Sequence, residues 1–134
     1  MDVGGPAFLV VEDDDGLQRT LQRLLNQFGG VIAIGTAAEG MAALTSSCAY
    51  VGILVDVRLP DGNGVEVLAH ARRRARYTGY AALVSGDVTK ELVAEAFRFN
   101  AQYLVKPFSL DEVYEFALRA RSRAPTAQSY SKTE

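Results

Sequence analysis

Five short apolar runs recur along the chain, and each ends in polar or turn-forming residues. Phe8-Leu9-Val10-Val11 is the first, and it stops abruptly in Glu12-Asp13-Asp14-Asp15. Consecutive apolar residues without alternation read as a strand buried on both faces, here with its C-terminal end emerging into acid. Leu17, Leu21, Leu24, Leu25 and Phe28 then repeat at helical spacing. Asp14 or Asp15 serves as N-cap and Gly29-Gly30 as the stop. Val31-Ile32-Ala33-Ile34 is the second run. Thr36-Ala37-Ala38-Glu39 has the capping-box pattern and opens a helix to about Ser46. Residues 51–57 form the third run, with Asp56 near its end, and lead into the turn-dense loop Arg58-Leu59-Pro60-Asp61-Gly62-Asn63-Gly64.

A third helix turns Val65, Leu68 and Ala71 inward and continues into Arg72, Arg73, Arg74 and Arg76. Residues 80–84 are the fourth strand, leaving through Ser85-Gly86-Asp87. Leu92, Val93, Ala96 and Phe97 mark a fourth helix, and Asn100 suits the left-handed position at its end. Residues 103–105 are the fifth strand, followed by Lys106-Pro107. Ser109-Leu110-Asp111-Glu112 is another capping box, opening a last helix with Leu110, Val113, Phe116 and Ala117 inward. Strands alternating with helices through short connections give an α/β fold: a five-stranded parallel sheet covered by helices on both faces. From Arg123 the chain is polar and small, and reads as a tail or linker without fixed structure.

Length and composition narrow the class. The chain has 134 residues, about half of them hydrophobic, which suits one domain with one well-filled interior. A net charge of −2 gives no general attraction to nucleic acid or anionic membrane, so direct nucleic-acid binding by these residues is not expected. Cys48 is the single cysteine, so no intrachain disulfide forms, and a reducing, cytoplasmic compartment is the simple reading. Met1 to Pro6 lacks the basic and apolar stretches of a signal peptide, and no apolar run approaches membrane-spanning length.

The chemistry collects at one edge. In an open parallel sheet, ligands bind beyond the carboxyl ends of the strands. The first strand delivers Glu12 and Asp13 there, the third Asp56, the fourth Ser85 and the fifth Lys106. Clustered carboxylates repel in a partly dry site and call for a counter-charge. A hard divalent cation with oxygen ligands fits, and Mg²⁺ suits a site that also takes phosphate oxygens. A cation, a lysine, a hydroxyl and one carboxylate free to attack are the parts of a phosphoryl-transfer site, with Asp56 as nucleophile and an acyl phosphate as product. Taken singly, each group has a plainer reading: helix-cap acid, turn residue, turn hydroxyl, solvated loop charge. Four strands placing the required groups at one edge is what favours the functional reading.

In those residues the sequence resembles the response-regulator receiver family, whose fold is the flavodoxin-like three-layer sandwich with strand order 2-1-3-4-5. The matching stretches are Leu9-Val10-Val11-Glu12-Asp13, Leu54-Val55-Asp56-Val57-Arg58-Leu59-Pro60 with Gly64, Leu83-Val84-Ser85-Gly86, and Tyr103-Leu104-Val105-Lys106-Pro107-Phe108. The resemblance spans roughly residues 7 to 122. It implies a receiver domain over residues 1–123, with 124–134 a flexible tail or the start of a linker to an output domain.

The resemblance also implies roles. Asp56 is the phospho-acceptor, fed by a sensor histidine kinase or phosphotransfer protein. Glu12, Asp13, Asp56 and the main-chain carbonyl of Arg58 hold Mg²⁺ (or Mn²⁺), although Asp is commoner than Glu at position 12. Lys106 pairs with the phosphoryl group, through a Lys106-Pro107 bond that is typically cis. Ser85 and Tyr103 are the switch, and Arg58 and Asp87 modulate phosphoryl lifetime or pair with each other across the crevice. The chain is then a signalling switch that catalyses only its own phosphorylation and dephosphorylation. The face of the fourth helix, fifth strand and fifth helix is read by a downstream effector or fused output domain, and a phosphorylation-dependent homodimer is compatible with it.

Other features carry plainer expectations. Phe97 at helical spacing is read as core, while Phe99 and Tyr114 are candidates for a recognition surface. Residues Arg72 to Arg76 read as a solvated helix end favoured by the macrodipole, with a docking patch as the alternative. His70 is read as a surface residue. Two rivals fit less well. Haloacid-dehalogenase-like phosphotransferases carry a paired Asp-x-Asp after strand one, where this chain has adjacent acids. A flavin-binding or degenerate receiver would lack the acid after strand one, or would have lost Asp56 or Lys106.

Overall fold

The structure, a computed structural model, describes residues 7–47 and 49–122. The readings of Met1 to Pro6, of Cys48 and of the tail from Arg123 therefore lie outside the described residues.

The chain runs β1 (Phe8–Val11), α1 (Asp15–Leu25), β2 (Val31–Ile34), α2 (Ala37–Ser46), β3 (Gly52–Asp56), β4 (Arg58–Leu59), β5 (Gly62–Asn63), α3 (Gly64–Arg73), β6 (Tyr80–Ser85), α4 (Lys90–Arg98), β7 (Gln102–Val105) and α5 (Leu110–Ser122). Five strands form one parallel sheet in the order β2-β1-β3-β6-β7. β4 and β5 form an antiparallel hairpin of two residues a side inside the loop after β3, where the turn-dense sequence predicts only a loop. Discounting that hairpin, the order is the expected 2-1-3-4-5.

Side chains alternate across a strand, so each buried strand feeds two interiors. Leu9, Val11, Ile53, Val55, Ala81 and Leu83 pack with Leu44 of α2, Val67, Leu68 and Ala71 of α3 and Ala96 of α4. Phe8, Val10, Leu54, Ala82 and Val84 pack with Leu21 and Leu25 of α1 and Val113, Phe116, Ala117 and Ala120 of α5. This two-sided burial is why the strands read as continuous apolar runs. Each fully buried Leu, Ile, Val or Phe contributes about 1.5–3 kcal/mol relative to exposure.

The helix ends follow the sequence. Asp14 caps α1 by accepting from Leu17 N, and Thr36 caps α2 by accepting from Glu39 N. Ser109 and Glu112 complete the capping box before α5. Asn100 has φ 55°, the left-handed conformation expected after α4. α1, however, stops at Leu25 with Asn26 as its C-cap, ahead of the two glycines.

Three inward assignments need correction. Phe97, expected in the core, is 83% exposed, while Ala96 and Phe99 are buried in its place. Val93 and Leu110 are exposed as well. On α3, Val67 joins Leu68 and Ala71 in the core, and Val65 is half-buried.

At the basic end of α3, Arg73, Arg74 and Arg76 are exposed, as a solvated helix end requires, but Arg72 is half-buried. The Arg72 guanidinium donates to the carbonyls of Phe99 (2.8 Å), Tyr77 (3.1 Å), Gly79 (2.8 Å) and Asn100 (3.0 Å). It thereby ties α3 to the turn before β6 and to the end of α4. His70 is half-buried, with Nε2 3.0 Å from Thr45 Oγ1 on α2.

Candidate functional site

Strand register brings the polar groups into one row. Val11 lies beside Val55, so Glu12 emerges next to Asp56. Asp56 lies beside Val84, and Ser85 follows it. Ser85 lies beside Val105, and Lys106 follows it. β1, β3 and β6 are buried to their last residues, which carries Glu12, Asp56 and Ser85 into the interior. Glu12, Asp56 and Ser85 are the buried polar or charged residues of the described chain. Asp13 is exposed at the rim.

Lys106 holds the centre. Its ammonium lies 3.0 Å from Asp56 Oδ2 and 3.1 Å from Glu12 Oε1. Glu12 Oε2 accepts from Asp14 N at 3.0 Å, whereas Oε1 is fully buried and accepts no well-directed hydrogen bond. Burial pushes the Glu12 carboxyl above its ordinary range against the Asp14 N–H, and the Asp56 charge adds to the rise that Lys106 opposes. Burial works against the Lys106 ammonium, but the hydrogen bond and charge of Asp56, then the adjacent Glu12 carboxylate, outweigh it and raise its pKa.

The donor set fits a hard cation. Carboxylate oxygens of Glu12, Asp13 and Asp56 lie within 4.8 Å of one another. When ionised, those three acids face one ammonium and leave two negative charges, which one divalent cation balances. The buried Glu12 Oε1, with the Lys106 ammonium 3.1 Å away and no well-directed hydrogen bond, keeps a lone pair for that cation. Oxygen-only ligands at this spacing suit Mg²⁺ or Mn²⁺ rather than a softer metal.

The loop after Asp56 is pressed onto the site. A Cβ on Gly64 would lie 2.0 Å from the Asp56 carbonyl oxygen, so only glycine fits there. Gly64 N donates to Val57 O at 2.7 Å and closes the loop. The Asp61 carboxylate at its tip accepts from Ala37 N (2.7 Å) and Ala38 N (3.0 Å), the first amides of α2. Those donors hold the Asp61 carboxyl below its usual range, with the Ala38 N–H the larger cause. Asp61 reads in sequence only as a turn former, and nothing local announces a partner 24 residues away.

The residues expected to switch or modulate share one neighbour. Ser85 Oγ accepts from Asp87 N at 3.0 Å, and the Tyr103 hydroxyl donates to the Asp87 carbonyl. The Asp87 carboxylate pairs with the Arg58 guanidinium at 2.8 Å across the mouth of the crevice. Tyr103 is half-buried against the α2–α3–α4 side of the core. The Lys106-Pro107 bond is cis, as the resemblance implies.

Comparison with known proteins agrees with this geometry. The family model described as the response regulator receiver domain matches residues 8–117. The chain is 34% identical over 123 residues to the transcriptional regulatory protein TcrA of Mycobacterium tuberculosis, covering 90% of this chain and 47% of that protein. It is 33% identical over 127 residues to the uncharacterized transcriptional regulatory protein YkoG of Bacillus subtilis, covering 94% and 53%. The chain thus spans about half the length of these relatives. Among solved structures, the non-phosphorylated HemR receiver domain from Leptospira biflexa superposes with a TM-score of 0.76 at 28% identity, covering 90% of this chain and 97% of that one. With five parallel strands in the receiver order and the acidic edge in place, the chain belongs to the response regulator receiver domain family of two-component signalling.

Proposed function

We propose that Asp56 accepts a phosphoryl group from a phosphohistidine on a sensor histidine kinase or phosphotransfer protein. The observation that carries this is Lys106 bridging two buried carboxylates, Asp56 and Glu12, at the ligand-binding edge of the sheet. An Asp56 carboxylate oxygen attacks phosphorus, the P–N bond breaks, and the imidazole leaves with the electron pair and takes up a proton. Lys106 compensates charge on the transferred oxygens. Glu12, Asp13, Asp56 and the Arg58 carbonyl would hold Mg²⁺ or Mn²⁺, which supplies further charge neutralisation when bound. Water attack on the acyl phosphate returns inorganic phosphate and the free carboxylate, so catalysis is confined to the chain's own modification.

The added charge then competes for Ser85. As Ser85 turns to the phosphoryl oxygens it gives up Asp87 N, and Tyr103, bonded to the same residue, responds. The α4–β7–α5 face carries the change to a downstream effector or a fused output domain, in keeping with relatives described as transcriptional regulators. We place this chemistry in the cytoplasm, and among the described residues no helix is long and apolar enough to cross a membrane.

Acetyl phosphate as donor and intact mass as readout test the reading. The wild-type chain is expected to gain one phosphoryl group only when Mg²⁺ is present, and Asp56→Asn none. An unmodified wild type, or modification that survives in Asp56→Asn, would count against it.

A further inference from the structure

We infer that Asp61 is a positioning residue for the cation end of this site, acting by clamping the β4–β5 hairpin to α2; this rests on the function proposed above. The first turn of α2 is capped from two directions. Thr36 Oγ1, from the N-cap just before the helix, accepts from Glu39 N at 3.1 Å. The two preceding amides, Ala37 N and Ala38 N, are taken by one carboxylate arriving from the hairpin. A helix needs only local groups to satisfy its first amides, and an Asx or Ser/Thr cap serves most helices. A second, long-range cap on the same turn therefore does something besides end the helix: it fixes where the hairpin sits.

What the hairpin carries makes that placement matter. Arg58 and Asn63 face each other across it, as do Leu59 and Gly62. Arg58 is two residues from Asp56 and supplies both the expected carbonyl ligand and the Asp87 ion pair. Asn63 caps α3, whose first residue is the Gly64 packed on the Asp56 carbonyl. A two-residue ladder is too short to hold itself in one place. Its anchors are the buried Leu59 on one side and Asp61 on α2 on the other. Gly62, with room for a Cβ only 3.0 Å from Glu66 Oε1 and 3.6 Å from Ala37 Cβ, shows how closely the tip is seated. The helix dipole adds to the hold, because a carboxylate is favoured at an N-terminus.

Two single variants separate this role from helix capping. Asp61→Ala and Thr36→Ala each remove a cap from the same turn of α2, but only the first releases the hairpin. Both are expected to lower the unfolding midpoint. In the cation-free protein, hydrogen exchange at the hairpin and Gly64 amides is expected to quicken in Asp61→Ala and to stay at the wild-type rate in Thr36→Ala. Mg²⁺ affinity, read by tyrosine fluorescence, is expected to fall about tenfold in Asp61→Ala, the low end for a group that orients a ligand from behind. Asp61→Asn, which can accept one of the two bonds, should fall between. Equal exchange and equal Mg²⁺ affinity in the two alanine variants would overturn the inference and leave the proposed function standing. A wild-type chain that neither binds Mg²⁺ nor takes a phosphoryl group would overturn both.

Discussion

Two partly buried charge clusters sit at opposite ends of this sheet, and they are built on opposite plans. At the end of α3, one guanidinium meets four backbone carbonyls, every contact between 2.8 and 3.1 Å. At the carboxyl edge, two carboxylates share one ammonium with a third carboxylate close by, and a buried oxygen of Glu12 is left without a directed donor. A satisfied polar cluster fixes architecture. An under-satisfied one costs stability, and is retained where a ligand completes it. Arg72 belongs to the first kind, and Glu12 with Asp56 to the second.

The largest expected effect is at the satisfied cluster. Arg72→Ala leaves part-buried carbonyls of Tyr77, Gly79, Phe99 and Asn100 without this donor, and should cost about 3 kcal/mol of unfolding free energy by denaturant titration. Arg72→Lys should restore only part, because an ammonium cannot reproduce the planar fork. A loss under about 1 kcal/mol, the ordinary range for surface substitutions and exposed pairs, would dissolve the contrast.

At the under-satisfied cluster the sign reverses. The Glu12 carboxyl is raised in the fold, so the folded state holds that proton more tightly than the unfolded chain does. Stability from Glu12 is therefore complete below its ordinary value of 4.5 and declines as pH rises above it. Glu12→Gln removes that decline. Without Mg²⁺ it should be more stable than wild type at pH 7, with the advantage shrinking toward pH 4.5 in thermal melts. Mg²⁺ should reverse the ranking: the wild type gains about 2.7 kcal/mol at a hundredfold excess over its Kd, and Glu12→Gln gains less. A variant that is less stable at neutral pH in the absence of Mg²⁺ would show that Glu12 is structural.

The smallest effect belongs to the exposed pair. Arg58→Gln and Asp87→Asn should each change stability by less than about 1 kcal/mol, because a solvated ion pair gains little over its separated partners. A larger loss in chemical denaturation would place this pair with Arg72.

The same contrast explains what could be read from sequence. Glu12, Asp56, Ser85 and Lys106 were legible because each stands at or just past the end of an apolar run, Asp13 because it follows Glu12, and the parallel sheet aligns those ends. Arg72 and Asp61 were not, because their partners are backbone groups, which carry no sequence signature. Arg72 reaches carbonyls up to 28 residues away, and Asp61 amides 23 and 24 residues away. α4 failed for another reason. Leu92 with Ala96, and Val93 with Phe97, both have i,i+4 spacing, so periodicity admits either stripe. The helix turns Ala96 inward, with Phe99 just past its end, and leaves Phe97 in solvent.

The most direct test of the central claim locates the modified atom. The chain is treated with acetyl phosphate and Mg²⁺, reduced with borohydride, digested and sequenced by mass spectrometry. An aspartyl phosphate is reduced to homoserine, so the account predicts homoserine at position 56, dependent on Mg²⁺ and absent elsewhere. Homoserine at position 13, or none in any peptide of the Mg²⁺-treated chain, would contradict it.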